Sequence, residues 1–318
     1  MLGNTDGHSK SFVSACAKAN QIANTTVLFP GDYFSLNSPN DNFSAELDAV
    51  VATNGLEAAL FNYDEYLDGA PLALNKGIEH LPKRVIYRGW MMKPEQYQRF
   101  YEDLTSMGFS PLVSPQSYEQ MHCFPFAAAF FCSQTPTFKV YPETNGQVSI
   151  DANEVNETFK RFMVKDYVKS VKNTDFPAYI KTPLTQDELD EYVQDFIRRR
   201  GSLFTGGIVL KEHVDLKQYD GAYNEWRCFV FLQDHQLGLN RNSHQPEEAP
   251  APPRSLLSAL NTISAPFYTV DFAELADGSW TIIEAGDGQV SGIAASDEPT
   301  RFYEAMAELL AQYDESTA

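Results

Sequence analysis

Over residues 25–113 the apolar positions switch repeatedly between short unbroken runs and helical spacing. Thr25-Thr26-Val27-Leu28-Phe29 is a strand-forming run closed by Pro30-Gly31. Ser44 then caps a helix whose apolar positions Leu47, Val50 and Val51 share one face, and Gly55 ends it. Leu56 to Phe61 is the next strand. The unit recurs with the strand Arg84-Val85-Ile86-Tyr87 and a helix opened by Pro94, with Tyr97, Phe100, Tyr101 and Leu104 on its buried face. Gly108 stops it before the short strand Pro111-Leu112-Val113. Strand–helix–strand repetition predicts a small parallel α/β domain over residues 25–135. Its first turn lacks a GxGxxG, which excludes a dinucleotide fingerprint there. Residues 1–24 are small and polar and predict no element, and the Pro-punctuated apolar stretch Phe124–Pro142 reads as the domain junction.

Beyond the junction the pattern becomes α+β, over residues 136–318. Phe162-Met163-Val164-Lys165 is a strand that leads into the lysine-rich Tyr167-Val168-Lys169-Ser170-Val171-Lys172. Thr185 and Glu188 form a capping box for a helix with the stripe Leu189, Tyr192, Val193, Phe196 and Ile197. Arg198, Arg199 and Arg200 complement the negative end of its dipole, and Gly201 terminates it. Three strand-like runs follow, at 207–212, 226–232 and 267–285, with a Pro- and Glu-rich loop at 245–254. An amphipathic helix over 302–313 closes the chain.

The last strand run folds on itself. Asp277-Gly278 is a favoured hairpin turn between two β-prone runs. Centred there, it pairs Ala276 with Ser279, Leu275 with Trp280 and Asp271 with Glu284, side chains ~5 Å apart on one face. Two facing carboxylates destabilise a sheet unless compensated, and a divalent cation with oxygen ligands is the usual compensation. An exposed acid on a slipped register or a shared proton would serve as well. Lys165 ends an apolar strand, so it snorkels or meets an anion, and Lys169 lies four residues on, on the same side of an extended chain. Arg227, inside Trp226–Leu232, calls for an anionic partner, either a protein acid such as Glu225 or a substrate oxygen. Arg88 poses the same question in the first domain.

Charge sharpens this picture. The chain carries 43 acidic and 24 basic residues, a net charge of −19, which disfavours nucleic acid and makes a local lysine cluster informative. Apolar residues make up 43%, enough for proper cores in 318 residues. The longest unbroken apolar stretch, Phe126–Cys132, is too short to span a membrane, and the polar start carries no signal-peptide pattern, so a cytoplasmic protein is expected. Cys16, Cys123, Cys132 and Cys228 have no CxxC pairing, and His122 beside Cys123 lacks further ligands at zinc spacing. The cysteines therefore read as small buried hydrophobes.

Taken in order, five stretches resemble the ATP-grasp superfamily, and within it the clade marked by one arginine and two lysines. They are Tyr87-Arg88-Gly89-Trp90-Met91, Val164–Ser170, Gly206–Val214, Glu225-Trp226-Arg227, and Tyr268–Asp271 with Ile283–Gln289. The resemblance implies a small Rossmann-like pre-ATP-grasp domain followed by an ATP-grasp domain with an antiparallel sheet. It implies an ATP- and magnesium-dependent ligase that joins a small-molecule or peptide carboxylate to an amine through an acyl phosphate. Lys165 and Lys169 would then reach the ATP phosphates, with Lys211 in the same nucleotide site. Glu212, His213 and Val214 would form the hinge that reads adenine, with Asp215 toward the ribose. Arg227 would hold the γ-phosphate or acyl phosphate, Arg88 would lie at the substrate end, and Asp271 and Glu284 would carry magnesium. Many members place Asn two residues after the second acid. Here Gly286 stands there, and Asp287 or Gln289 is the candidate replacement. Two other classes are open to the same residues. One is a nucleotidyltransferase or polynucleotide ligase adenylated on Lys165, although Lys165-Asp166-Tyr167-Val168 departs from the usual Lys-x-Asp-Gly. The other is a non-catalytic ATP-binding protein.

Overall fold

A computed structural model describes residues 24–232 and 235–317. All of the leader except Asn24 lies outside these residues, as does Cys16. The chain packs as two compact units, one of residues up to Pro115 together with those from Asp297 on, the other Gln116–Ser296. This grouping differs from the expected division at residue 135. The closing helix Pro299–Thr317 packs on a helix of the first unit, while the apolar residues from Met121 to Phe131 join a core of the second.

In the first unit β1 (Thr25–Asp32) is followed by a short antiparallel β2 (Ser35–Pro39), α1 (Ser44–Ala52), β3 (Leu56–Phe61) and α2 (Tyr63–Leu67). Next come β4 (Arg84–Tyr87), α3 (Pro94–Ser106) and β5 (Ser110–Pro111). β3 and β4 flank β1 in parallel and β5 extends β4 in parallel, giving the order β3-β1-β4-β5 of the expected α/β domain. The continuous runs read as strands are buried throughout, as a parallel sheet requires. Pro30-Gly31 continues β1 instead of closing it, because β2 turns back and pairs with Gly31.

The second unit begins with α4 (Pro115–His122) and α5 (Phe124–Ala128), then β6 (Phe138–Pro142), α6 (Ala152–Thr158), β7 (Arg161–Asp166), β8 (Ile180–Lys181), α7 (Gln186–Arg200) and β9 (Gly207–Glu212). The antiparallel sheet β6-β9-β7-β8 results. Its alternation sorts the side chains. Phe162, Val164, Ile208 and Leu210 join the core under α6 and α7, whereas Val209 packs into a separate core on the other side. Lys165 pairs in register with Val209, and Lys211 with Met163, so both lysines share the Val209 side. α7 carries the expected capping box: Glu188 accepts from Thr185 N at 2.8 Å, and Thr185 accepts from Glu188 N at 3.3 Å.

A small β10 (Gln218–Tyr219) and β11 (Ala222–Tyr223) pair precedes the second antiparallel sheet. That sheet comprises β12 (Glu225–Phe231), β13 (His235–Arg241), β14 (Phe267–Glu274) and β15 (Trp280–Asp287) in the order β13-β12-β14-β15, with the short helix α8 (Arg254–Leu257) ahead of β14. Cys228, Val230, Val270, Phe272 and Ile282 form its apolar face, packed in one core with Phe124. The opposite face carries Arg227, Asp271 and Glu284 in one cross-strand row. Cys123 and Cys228 are buried as expected, but Cys132 is exposed.

The hairpin reaches the expected Asp271–Glu284 pairing by a different route. Leu275 N bonds to Ser279 O and Glu274, not Leu275, pairs with Trp280, so the turn is one residue longer with Gly278 at φ +86°. A bulge between Asp271 and Phe272, with Ile283 the extra residue opposite, shifts the register back by one.

Candidate active site

Six of the side chains singled out from sequence converge within the second unit. Arg227 grips Asp271 with a two-pronged ion pair, Nε to Oδ1 at 2.8 Å and Nη2 to Oδ2 at 2.7 Å. Asp271 faces Glu284, whose Oε1 accepts from Lys165 Nζ at 2.8 Å. Lys211 donates to the carbonyl of Ile283, the residue that the bulge turns out of the ladder. Lys165 and Lys211 are only 5% and 6% exposed, and their ammonium groups lie 4.7 and 4.5 Å from the ring centre of Phe124. A phenyl face is one of the few apolar surfaces that attract a buried cation.

Lys169 arrives by a turn. The chain folds back after Lys165, which bridges to Ser170, while Asp166 N bonds to Lys169 O at 2.9 Å. The extended path expected from Lys165 to Lys169 is therefore not taken. Asp166, fully buried, enforces the turn: Oδ1 accepts from Val168 N and Lys169 N, each at 2.7 Å, and Oδ2 from Arg200 Nε at 2.7 Å. Arg200 thus does more than complement the α7 dipole. It anchors the acid that shapes the lysine turn.

The electrostatics follow from this crowding. Burial pushes the Glu284 carboxyl up, yet Lys165, Lys169 and Lys211 together hold it at about 2. Burial raises Asp271 against the opposing pull of Arg227. Burial, with Lys165 close by, lowers Lys211 to about 7. His122, stacked on Tyr118, is brought down to about 3 by burial and then by Lys169 and Lys165. Groups displaced in opposite directions within one cluster mark a site built for charge. Cations gathered on one sheet face of a protein of net charge −19 suit a polyphosphate.

Other expected residues are placed differently. Glu212 ends β9 and accepts from Thr137 N at 3.2 Å. His213 meets the Tyr179 ring edge-on at 3.8 Å, Val214 is half-buried, and the exposed Asp215 pairs with Arg161 at 2.7 Å. Asp287 does not join the acid pair. Three residues past Glu284, it pairs in register with Tyr268 on the opposite face, and Oδ1 accepts from Gln289 N at 2.9 Å. Among the described residues no group of three or more His, Cys, Asp or Glu side chains is arranged to hold a metal. Gly286 is on the Glu284 face, where a Cβ would lie 3.1 Å from Ser291 Oγ and 3.2 Å from Thr269 Oγ1. Arg88 belongs to the first unit and is 2% exposed. Its Nε and Nη2 donate to Glu46, which also accepts from Tyr303. That guanidinium is committed to a buried ion pair, the structural alternative open to it from sequence.

Sequence reasoning missed Phe124, Asp166, His122 and Arg200. Phe124 was visible only as part of an apolar junction, and Asp166 only as an acid after a strand. Glu225 was considered solely as a partner for Arg227. It lies two residues earlier on the same face, where its carboxylate bonds to Ser243.

Residues 154–306 match the model of an ATP-grasp domain, family 3 of the clade named for its arginine and two lysines. No curated protein matches the chain. Among solved structures, D-cycloserine synthetase DcsG superposes with a TM-score of 0.57 at 15% identity, over 90% of this chain and 99% of that one. The D-alanine-D-alanine ligase from Coxiella burnetii gives 0.57 at 10% identity, over 94% and 97%. The ATP-grasp ligase PsnB, complexed with a precursor variant, Mg and ADP, gives 0.52 at 14% identity, over 92% and 98%. At such identities the likeness is one of fold. Together with the matched domain, it makes this chain a member of the ATP-grasp superfamily.

Proposed function

We propose that the protein is an ATP- and magnesium-dependent ligase that joins a carboxylate to an amine. The supporting observation is the row Arg227–Asp271–Glu284 ringed by Lys165, Lys169 and Lys211, an anion site built around a carboxylate pair. Paired carboxylates are hard oxygen donors, and magnesium commonly takes one or two of them together with substrate phosphates, so the donor set fits. Asp271 and Glu284 would hold the ion, which when bound offsets charge on the transferring phosphoryl group. Lys165, Lys169 and Lys211 bind and orient the phosphates. Glu212, His213 and Val214 meet the adenine, and Asp215 the ribose once Arg161 yields it. Arg227 neutralises the γ-phosphate and then the acyl phosphate. The substrate carboxylate oxygen attacks the γ-phosphorus and ADP leaves. The amine nitrogen then attacks the acyl carbon, phosphate leaves, and the amine loses a proton. No protein nucleophile is required, and residues from 136 on would form the catalytic domain.

ADP release screened over amino acids, small carboxylates and peptides tests this reading, with Asp271→Asn and Glu284→Gln as blanks. Turnover that falls at least 100-fold in both variants supports it, and turnover retained in both refutes the metal assignment. An AMP adduct on Lys165 after incubation with labelled ATP would point instead to nucleotidyl transfer. The distance of Asp287 from the acid pair favours one alternative, a nucleotide-binding protein without turnover. ATP binding with no ADP release across the panels would select it.

A further inference from the structure

The oxygens that suit a divalent cation are already engaged by protein cations. Both oxygens of Asp271 accept from Arg227, whose third nitrogen, Nη1, is anchored on Gly292 O at 2.8 Å. Glu284 Oε1 is bonded to Lys165. A guanidinium fork matched to a carboxylate leaves no room for a cation that must approach the same oxygens to ~2.1 Å. The same Arg227 and Lys165 are the groups that a polyphosphate would attract.

We propose that Arg227 is a resident counter-ion of the metal carboxylate Asp271, released by nucleotide phosphates, so that the site admits divalent cation together with nucleotide and poorly alone. The idea rests on the nucleotide-binding reading above. It gives the Arg227–Asp271 pair two states. In one, arginine neutralises the acid. In the other, arginine turns to the phosphates and the acid turns to metal. Lys165 and Glu284 make the same exchange beside it, which couples the two occupants without any distant conformational change. The pairing also removes the like-charge conflict between Asp271 and Glu284 that facing carboxylates would otherwise create.

The test measures Mn2+ binding to the full chain by electron paramagnetic resonance, first without nucleotide. Arg227→Met is expected to bind Mn2+ at least tenfold more tightly than the wild type. Arg227→Lys should fall between them, since a single ammonium replaces the fork. Mn2+ should also raise the melting temperature of Arg227→Met by more than that of the wild type. Wild-type protein that binds Mn2+ alone as tightly as Arg227→Met overturns the proposal. If Arg227→Met fails to fold by circular dichroism, Arg227→Lys decides: affinity no greater than wild type overturns it. The second measurement adds ADP, which should tighten wild-type Mn2+ binding at least tenfold beyond Mn2+–ADP complexation in solution. Failure of ADP to bind, with tight Mn2+ binding by Arg227→Met, would uphold the counter-ion role and overturn the nucleotide reading.

Discussion

Replacing Lys211 by Met should stabilise the protein at acid pH while weakening nucleotide binding. Lys211 is 6% exposed, and burial with Lys165 nearby lowers its pKa from 10.5 to about 7. That drop corresponds to about 5 kcal/mol of penalty on the charged form in the folded state. At pH 6 the group is charged in both folded and unfolded chains, so the whole penalty is present. Between pH 7 and 10.5 the unfolded chain holds the extra proton, and stability rises with pH at about 1.4 kcal/mol per unit. Methionine removes the penalty but leaves the Ile283 carbonyl without its donor, a loss of about 2 kcal/mol. The balance predicts Lys211→Met more stable by about 3 kcal/mol at pH 6 and roughly equal to wild type at pH 9. Urea denaturation at pH 6, 7.5 and 9 reads this directly. A variant less stable than wild type at pH 6, or a stability difference independent of pH, would refute the reasoning. Stability lost to a buried charge and regained on its removal is the pattern expected of a residue kept for binding.

Three further outcomes follow from the same geometry. At pH 8 Lys211 is largely neutral, and phosphates beside it should restore its charge. Binding of ADP is therefore expected to take up about one proton, measured by calorimetry in buffers of different ionisation enthalpy, and no uptake would contradict the placement. Asp166→Ala removes the buried partner of Arg200 and the acceptor for two turn N–H groups, which should cost roughly 3 kcal/mol in urea unfolding and raise KM for ATP more than it lowers kcat. Gly207→Ala would press a Cβ into the Tyr141 carbonyl, a backbone atom that cannot rotate away. A cost of about 3 kcal/mol and a melting temperature lower by roughly 5–10 °C are expected.

The elements that sequence reasoning placed most closely are those with local signals. The capping box at Thr185 and Glu188, the run Gly207–Glu212 and Pro94 opening α3 need only neighbours in the chain. β13, by contrast, was read as part of a loop. His235–Arg241 is half-exposed, contains Gly238 and carries no apolar run, so its strand state comes from pairing with β12. β6 was likewise hidden in the junction, and its pairing with β9 defines it.

By itself the sequence determined that Asp271 and Glu284 oppose each other, since a two-residue side-chain period around an Asp-Gly turn leaves few registers. The same period, counted over three residues, puts Asp287 on the other face. Tertiary structure alone decided how that register is reached, through a longer turn offset by a bulge, because both are one-residue adjustments that cancel at the acid pair. It alone set Phe124 beside two buried lysines, tied Asp166 to Arg200 across 34 residues, and gave Arg88 to Glu46. Those contacts join segments distant in the chain, and no local propensity encodes which cation will meet which anion once both have been taken out of water.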